Sequence, residues 1–177
     1  MGAVGTIIAE TSKPILSYAE RLLKDIGPHN AARKPTWGIG GEMIECNHAT
    51  FVYGHLAIYP GRLYAILGKD AAALKIPASY EDLFAAGKPC KDDPTGSLYP
   101  PFHEIVPVFR RGMESAAGLI ASLPDAEFTK PNTNERSKAR FPTVGILANF
   151  LLNNHVAMHL GQVSTWRRAM GLPGADV

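Results

Sequence analysis

The chain has 177 residues, 46% of them apolar and 19% charged, and its 18 Lys+Arg against 16 Asp+Glu leave a net charge of +2. That is ordinary globular composition at the length of a single domain, able to bury roughly 70% of its unfolded surface, and it argues against a disordered chain. The densest basic run is only Asn134 to Arg140, so neither a nucleic-acid partner nor a membrane partner is expected, and no apolar stretch approaches the roughly 18 residues that a membrane span requires.

Two cysteines, Cys46 and Cys90, make neither a disulfide framework nor a four-thiolate zinc site, which points to a reducing, cytoplasmic setting. The opening MGAVGTIIAETSK lacks the basic and apolar parts of a signal peptide. Gly2 and Thr6 fit the loose myristoylation pattern, but no polybasic patch or second anchor lies nearby, and a flexible start is expected there.

Four long segments carry helical periodicity. The first spans about Lys13 to Ile26, with Ile15, Leu16, Ala19, Leu22, Leu23 and Ile26 on one face, Ser12 as its cap, and Gly27-Pro28 as its stop. The second spans about Gly41 or Glu42 to Leu67. Met43, Ile44, Phe51, Val52, Leu56, Tyr59, Leu63, Ile66 and Leu67 face inward, and Pro60 is expected to kink it. Residues 69–100 form a long connection, with a short helix over Ser79–Ala86; an excursion of that length usually covers something.

The third helix spans about Pro101 to Leu123, with Phe102, Ile105, Val106, Phe109, Met113, Ala117 and Ile120 inward. A polar loop from Pro124 to Pro142 follows. The fourth helix starts at a Thr143 cap and runs to Met170, where Gly171 closes it. Its stripe is Leu147, Phe150, Leu151, His155, Met158, His159, Gln162, Val163 and Trp166. Four amphipathic helices with two long crossover loops describe an all-α four-helix bundle.

His155 and His159 are four residues apart and share a face with Gln162. Unpaired imidazoles on a core-facing stripe are costly, and a metal ion is an economical partner for two of them; hydrogen bonding across the bundle is the alternative. The second helix offers a third ligand in either His48 or His55. They lie roughly 10 Å apart along the axis, and metal–nitrogen bonds are about 2 Å, so both cannot ligate one ion. Periodicity does not choose between them.

Other metal and hydrolase patterns fail. Val156 stands where H-E-x-x-H needs Glu, only Glu45–His48 fits the E-x-x-H spacing of a di-iron bundle, and no G-x-S-x-G occurs. Cys46 reads as a small buried thiol rather than a nucleophile. Tyr53 and Tyr59 are either pocket hydroxyls or packing residues, and Arg167 and Arg168 fit a last-turn complement to the helix dipole better than a substrate contact.

GHLAIYPGRL together with HVAMHLGQVSTWRRAMGLP resembles the DinB/YfiT-like metalloenzyme family. That family carries a His in a G-H-L context on its second helix and H-x-x-x-H followed by G-Q on its fourth. The resemblance covers the whole chain and implies a divalent ion held by His55, His155 and His159. The ion would be nickel or zinc, with iron or manganese also accepted by three imidazoles. It selects His55 over His48, leaving His48 to line the pocket or to be satisfied by a neighbour.

Three neutral imidazoles leave coordination positions open, the layout of a catalytic site. The resemblance implies a metal-dependent transferase or hydrolase acting on a small molecule, with a low-molecular-weight thiol as cosubstrate. Gln162 and Tyr59 would serve the second shell or the pocket, and no catalytic residue beyond the ligands is assigned. A non-catalytic metal-binding bundle in stress response or assembly is the alternative. A homodimer is expected from the apolar residues around Leu74, Ile76 and Leu83.

Overall fold

The computed structural model describes residues 2–175, and they are all-helical, with two isolated β-bridges, Thr36 to Met43 and Pro131 to Thr143. Helix α1 spans Ala3–Arg21, α2 Ala49–Ile66, α3 Ser79–Phe84, α4 Phe102–Ser122 and α5 Asp125–Thr129. Then α6 (Val144–Asn149) passes through a π-helical stretch, Phe150–Asn154, directly into α7 (His155–Ala169). α2 is the central element: every residue from His48 to Ile58 is buried, under α4 on one side and α3 and α7 on others.

α1 begins ten residues before the expected start at Lys13, so residues 3–12 form no flexible start. The backbone N–H groups of Ala3 and Val4 donate to the Asp125 carboxylate at 3.3 and 2.8 Å. This long-range acid takes the place of a local cap and favours the positive end of the helix. Ser12 is interior and fully buried, donating to Ala9 O. Gly5 is where α1 meets α4 and α5: a Cβ there would lie 2.3 Å from Ile120 O. The buried stripe of this first half is Gly5, Ile8, Ala9 and Ser12, too small-sided to stand out as a hydrophobic pattern.

The first seven expected residues of the second helix are loop instead. Met43 is exposed, and α2 starts after His48. α2 continues unbroken through Pro60, whose ring packs against α4 at Gly112, where a Cβ would come within 2.9 Å of it. α4 agrees with expectation to within a residue at each end. The last helix also starts and stops as expected. Thr143 Oγ1 accepts from Ile146 N, and Gly171 at φ +75° lets Leu172 N reach Arg167 O and Gly171 N reach Arg168 O. That closure satisfies two of the carbonyls a helix end leaves orphaned.

Two side chains of the last helix stand elsewhere than expected. Met158 points outward. Arg167 is 1% exposed: it donates to Leu22 O, Lys24 O and Pro173 O, placing a cation at the carbonyl end of α1 rather than at a substrate or in solvent. Leu74 is buried, and Ile76 and Leu83 are half-buried against the core. Among the described residues, no helix is long and apolar enough to cross a membrane.

Candidate metal centre

His55 sits in the middle of α2, and His155 and His159 open α7, so two helices far apart in sequence meet through three imidazoles. Their ring centroids are 5.2, 4.5 and 4.6 Å apart, and one nitrogen from each falls within 4.8 Å of the others. His55 Nε2 lies 3.3 Å from His155 Nε2. Two metal–nitrogen bonds of about 2.0–2.1 Å at a tetrahedral angle set their nitrogens roughly 3.3 Å apart. The spacing therefore fits a divalent ion, and this three-histidine cluster can hold one.

Hydrogen bonds to the outer nitrogens fix which way two of the rings present their lone pairs. His55 Nδ1 lies 2.7 Å from Phe84 O; a carbonyl only accepts, so Nδ1 carries the proton and Nε2 is bare. His159 Nδ1 donates in the same way to Gln162 Oε1 at 3.1 Å, and that oxygen also accepts from Asn47 Nδ2. Such outer partners are what orient metal-ligating histidines. His155 differs: its Nδ1 is buried with no hydrogen-bond partner among the described residues, and aromatic rings flank the imidazole instead, Tyr59 at 4.2 Å and Phe150 at 5.7 Å between ring centroids.

Burial keeps the cluster neutral. It pushes His55 down to about 4 and His155 down to about 3, and it also lowers His159. For His155 the two neighbouring imidazoles add to the effect. Uncharged rings offer lone pairs at neutral pH, which coordination requires.

The long excursion and the helix register build this geometry. Phe84, the last residue of α3, supplies the carbonyl that His55 needs. It comes close because residue 54 is glycine: a Cβ there would lie 2.6 Å from the Phe84 ring. The π-helical stretch ends immediately before His155. π-bulges concentrate at functional sites because they shift the side chains that follow around the helix axis. Asn153 in that stretch donates to Ile8 O of α1 at 3.0 Å and to Asn149 Oδ1 at 2.9 Å, tying it down.

The remaining sequence candidates separate cleanly. His48 is fully buried and caps α2: its Nδ1 accepts from Phe51 N at 3.1 Å, and its Nε2–H donates to Lys91 O at 2.9 Å. Both nitrogens are committed, so it is neither a ligand nor a pocket group. Tyr59 is a neighbour of the cluster, its ring tilted against those of His155 and His55. Tyr53 is a core residue that donates to Ala19 O. His103 is exposed and outside the cluster, as is His29. Cys46 is half-buried, and burial pushes its thiol up, away from the thiolate a nucleophile needs. Sequence reasoning missed Asn47 and the Phe84 carbonyl; a polar side chain before a cap and a main-chain oxygen leave no periodic signal.

Two cavities flank the cluster. One, of about 690 Å³, lies beyond Gln162 and is lined by Lys34, Glu45, Cys46, Cys90, Met158 and Trp166 among others. The other, of about 720 Å³, lies beyond Tyr59 and Phe150. Compared with protein-family models and with curated proteins, the chain matches none.

Proposed function

We propose that this chain is a metal-dependent enzyme of the DinB-like four-helix-bundle type, a thiol-dependent transferase or hydrolase that acts on a small molecule. The observation that carries the reading is the convergence of His55, His155 and His159 on one point, with the outer nitrogens of His55 and His159 already engaged. The G-H-L and H-x-x-x-H-x-G-Q motifs support the same family, and nickel or zinc suits three imidazoles.

A divalent ion bound there would act as a Lewis acid, lowering the pKa of a bound thiol or water and polarising a carbonyl. The chain's own residues do the positioning. Phe84 O and Gln162 Oε1 hold two rings in the coordinating tautomer, and Asn47 in turn fixes Gln162. Tyr59 and Phe150 wall off water on the His155 side. Only His159 of the three is partly exposed, which gives the centre its opening and favours turnover over a closed structural site.

The test joins elemental analysis to turnover. Purified protein should carry one divalent ion per chain, and with that ion it should consume a low-molecular-weight thiol or water against small electrophiles, whereas His155→Ala should do neither. Protein that binds no nickel or zinc above background refutes the metal centre. One that binds the ion tightly but turns over nothing across thiols and electrophiles refutes the enzyme reading.

A further inference from the structure

The cavity on the Tyr59 side differs from its counterpart in charge. Its inner wall is aromatic and aliphatic, with Phe141, Phe150, Leu147 and Leu151. Arg62 and Lys130 line it, and no acidic residue does. In the cavity beyond Gln162 the lining cation Lys34 is neutralised at 2.6 Å by Glu45, which lines the same space.

The cations on the Tyr59 side have weak claims on them. Arg62 pairs with Glu81 and Lys130 with Glu127, all four side chains at least partly exposed; exposed pairs of this kind are weak and exchange readily. Arg140 lies over the rings of Phe141 and Phe150, at 5.2 and 5.3 Å, and no carboxylate among the described residues pairs with it. The loop that carries Arg140 is rigidly built. Asn132 is buried and donates to Ser137 Oγ and Phe141 O, its Oδ1 accepts from Asn134 N, and backbone bonds from Asn132 N to Pro142 O and from Val144 N to Lys130 O close the loop at its base. Asn134 and Ser137 of the sequence's basic run line the cavity, and Arg140 at the end of that run lies over two of its lining rings.

We propose that this cavity binds a small molecule with an apolar, ring-sized body and an anionic end, the body against Phe141 and Phe150 and the anion at Arg140, Arg62 and Lys130. Its volume is that of a small-ligand pocket. A stacked guanidinium keeps its N–H edge free for a carboxylate. Tyr59 and Phe150 line the cavity and also touch His155, so the bound molecule lies one ring away from the metal centre. That orientation, and only that, rests on the metal reading. The hydroxyl of Tyr59 makes no hydrogen bond among the described residues and is free to meet the ligand.

The experiment is an amide-resolved NMR titration of the metal-free protein with phenylacetate and with the neutral phenylacetamide. Phenylacetate should give saturable shifts in residues 59–66 and 130–142, should bind about tenfold more tightly than phenylacetamide, and should weaken with added salt. Arg140→Gln, at an exposed position, should weaken phenylacetate severalfold and leave phenylacetamide unchanged. Equal affinities, shifts centred on Cys46 and Cys90, or no saturable shift would each overturn the proposal. A second arm loads the protein with paramagnetic nickel. Faster relaxation of the phenylacetate protons than with zinc places the cavity beside the ion; equal relaxation refutes that orientation. Failure of nickel or zinc to bind at all would refute the metal reading and leave the first arm intact.

Discussion

The N-cap of α2 and its second turn carry two histidines with nearly the same environment and opposite fates. His48 and His55 are both buried, burial pushes both down to about 4, and each hydrogen-bonds a main-chain carbonyl of the excursion between residues 69 and 100. The difference lies in the second ring nitrogen. In His48 it accepts the Phe51 N–H and the ring is saturated; in His55 it faces another imidazole at 3.3 Å. Burial and a perturbed pKa therefore do not distinguish a structural histidine from a ligand. Accounting for both nitrogens does.

The sharpest way to break this comparison is to remove each ring in turn. His55→Ala, like His159→Ala, should cost more than about a hundredfold in zinc or nickel affinity, since two imidazoles remain where three are needed, while helical circular dichroism persists. His48→Ala should leave metal stoichiometry at one and lower the unfolding free energy by about 1–3 kcal/mol, through the lost cap and the buried Lys91 carbonyl left bare. Calorimetric metal titration beside urea unfolding checks both, and loss of metal in His48→Ala with the fold intact would contradict the assignment.

Acid tests the His48 side of the comparison next. The folded protein holds His48 neutral down to about 4, whereas an unfolded histidine takes up a proton near 6.5. Between those values the unfolded chain binds the extra proton, so stability rises with pH and is lost as pH falls through 6.5 toward 4, by as much as about 3 kcal/mol. Asp92 and Asp93 nearby soften the shift and Lys34 adds to it. His48→Asn keeps a capping oxygen and deletes the titration, so urea midpoints measured from pH 7 to 4 should fall less steeply than in the parent. An unchanged slope would mean that His48 does not titrate as its burial dictates.

A smaller effect is expected from the glycine that precedes the ligand. Gly54→Ala places a Cβ against the fully buried Phe84 ring, and overpacking of that kind costs about 1–3 kcal/mol. Because Phe84 O orients His55, metal affinity should fall alongside stability, which a His48 variant should not do. Thermal melts with and without zinc would show the coupling as a reduced metal-induced shift.

What the sequence made legible follows from which forces are local. Thr143, Gly171 and the H-x-x-x-H spacing act within a turn or two, and the last helix and the facing of His155 and His159 toward one cluster came out as read. The start of α1 did not, because Asp125 caps it from more than a hundred residues away, and because Gly5, Ala9 and Ser12 bury small faces that look polar or neutral. His55 could be chosen over His48 only by family resemblance, since periodicity puts both inside; in the structure Phe51 N and Lys91 O take both His48 nitrogens, and His55 joins the three-histidine cluster. Met158 was expected inward and stands exposed, and the π-helical stretch that shifts the register just before it has no sequence mark of its own.

The smallest expected effect tests the outermost part of the centre. Gln162 Oε1 accepts both His159 Nδ1–H and Asn47 Nδ2, so it fixes the ring that reaches solvent. Outer partners of metal-bound histidines typically contribute 10–100-fold in affinity. Here the lower end applies: Gln162 is exposed, and water can take over the His159 proton once the amide is gone. Gln162→Met should therefore weaken zinc about tenfold with no loss of fold, and Asn47→Ala less than that, because it acts only through Gln162. The His55 side offers no such substitute, since the Phe84 carbonyl is main chain in a buried setting. A Gln162→Met protein with unchanged zinc affinity would show that His159 is held by its helix alone, and the orienting role assigned to the amide would fall while the three ligands stood.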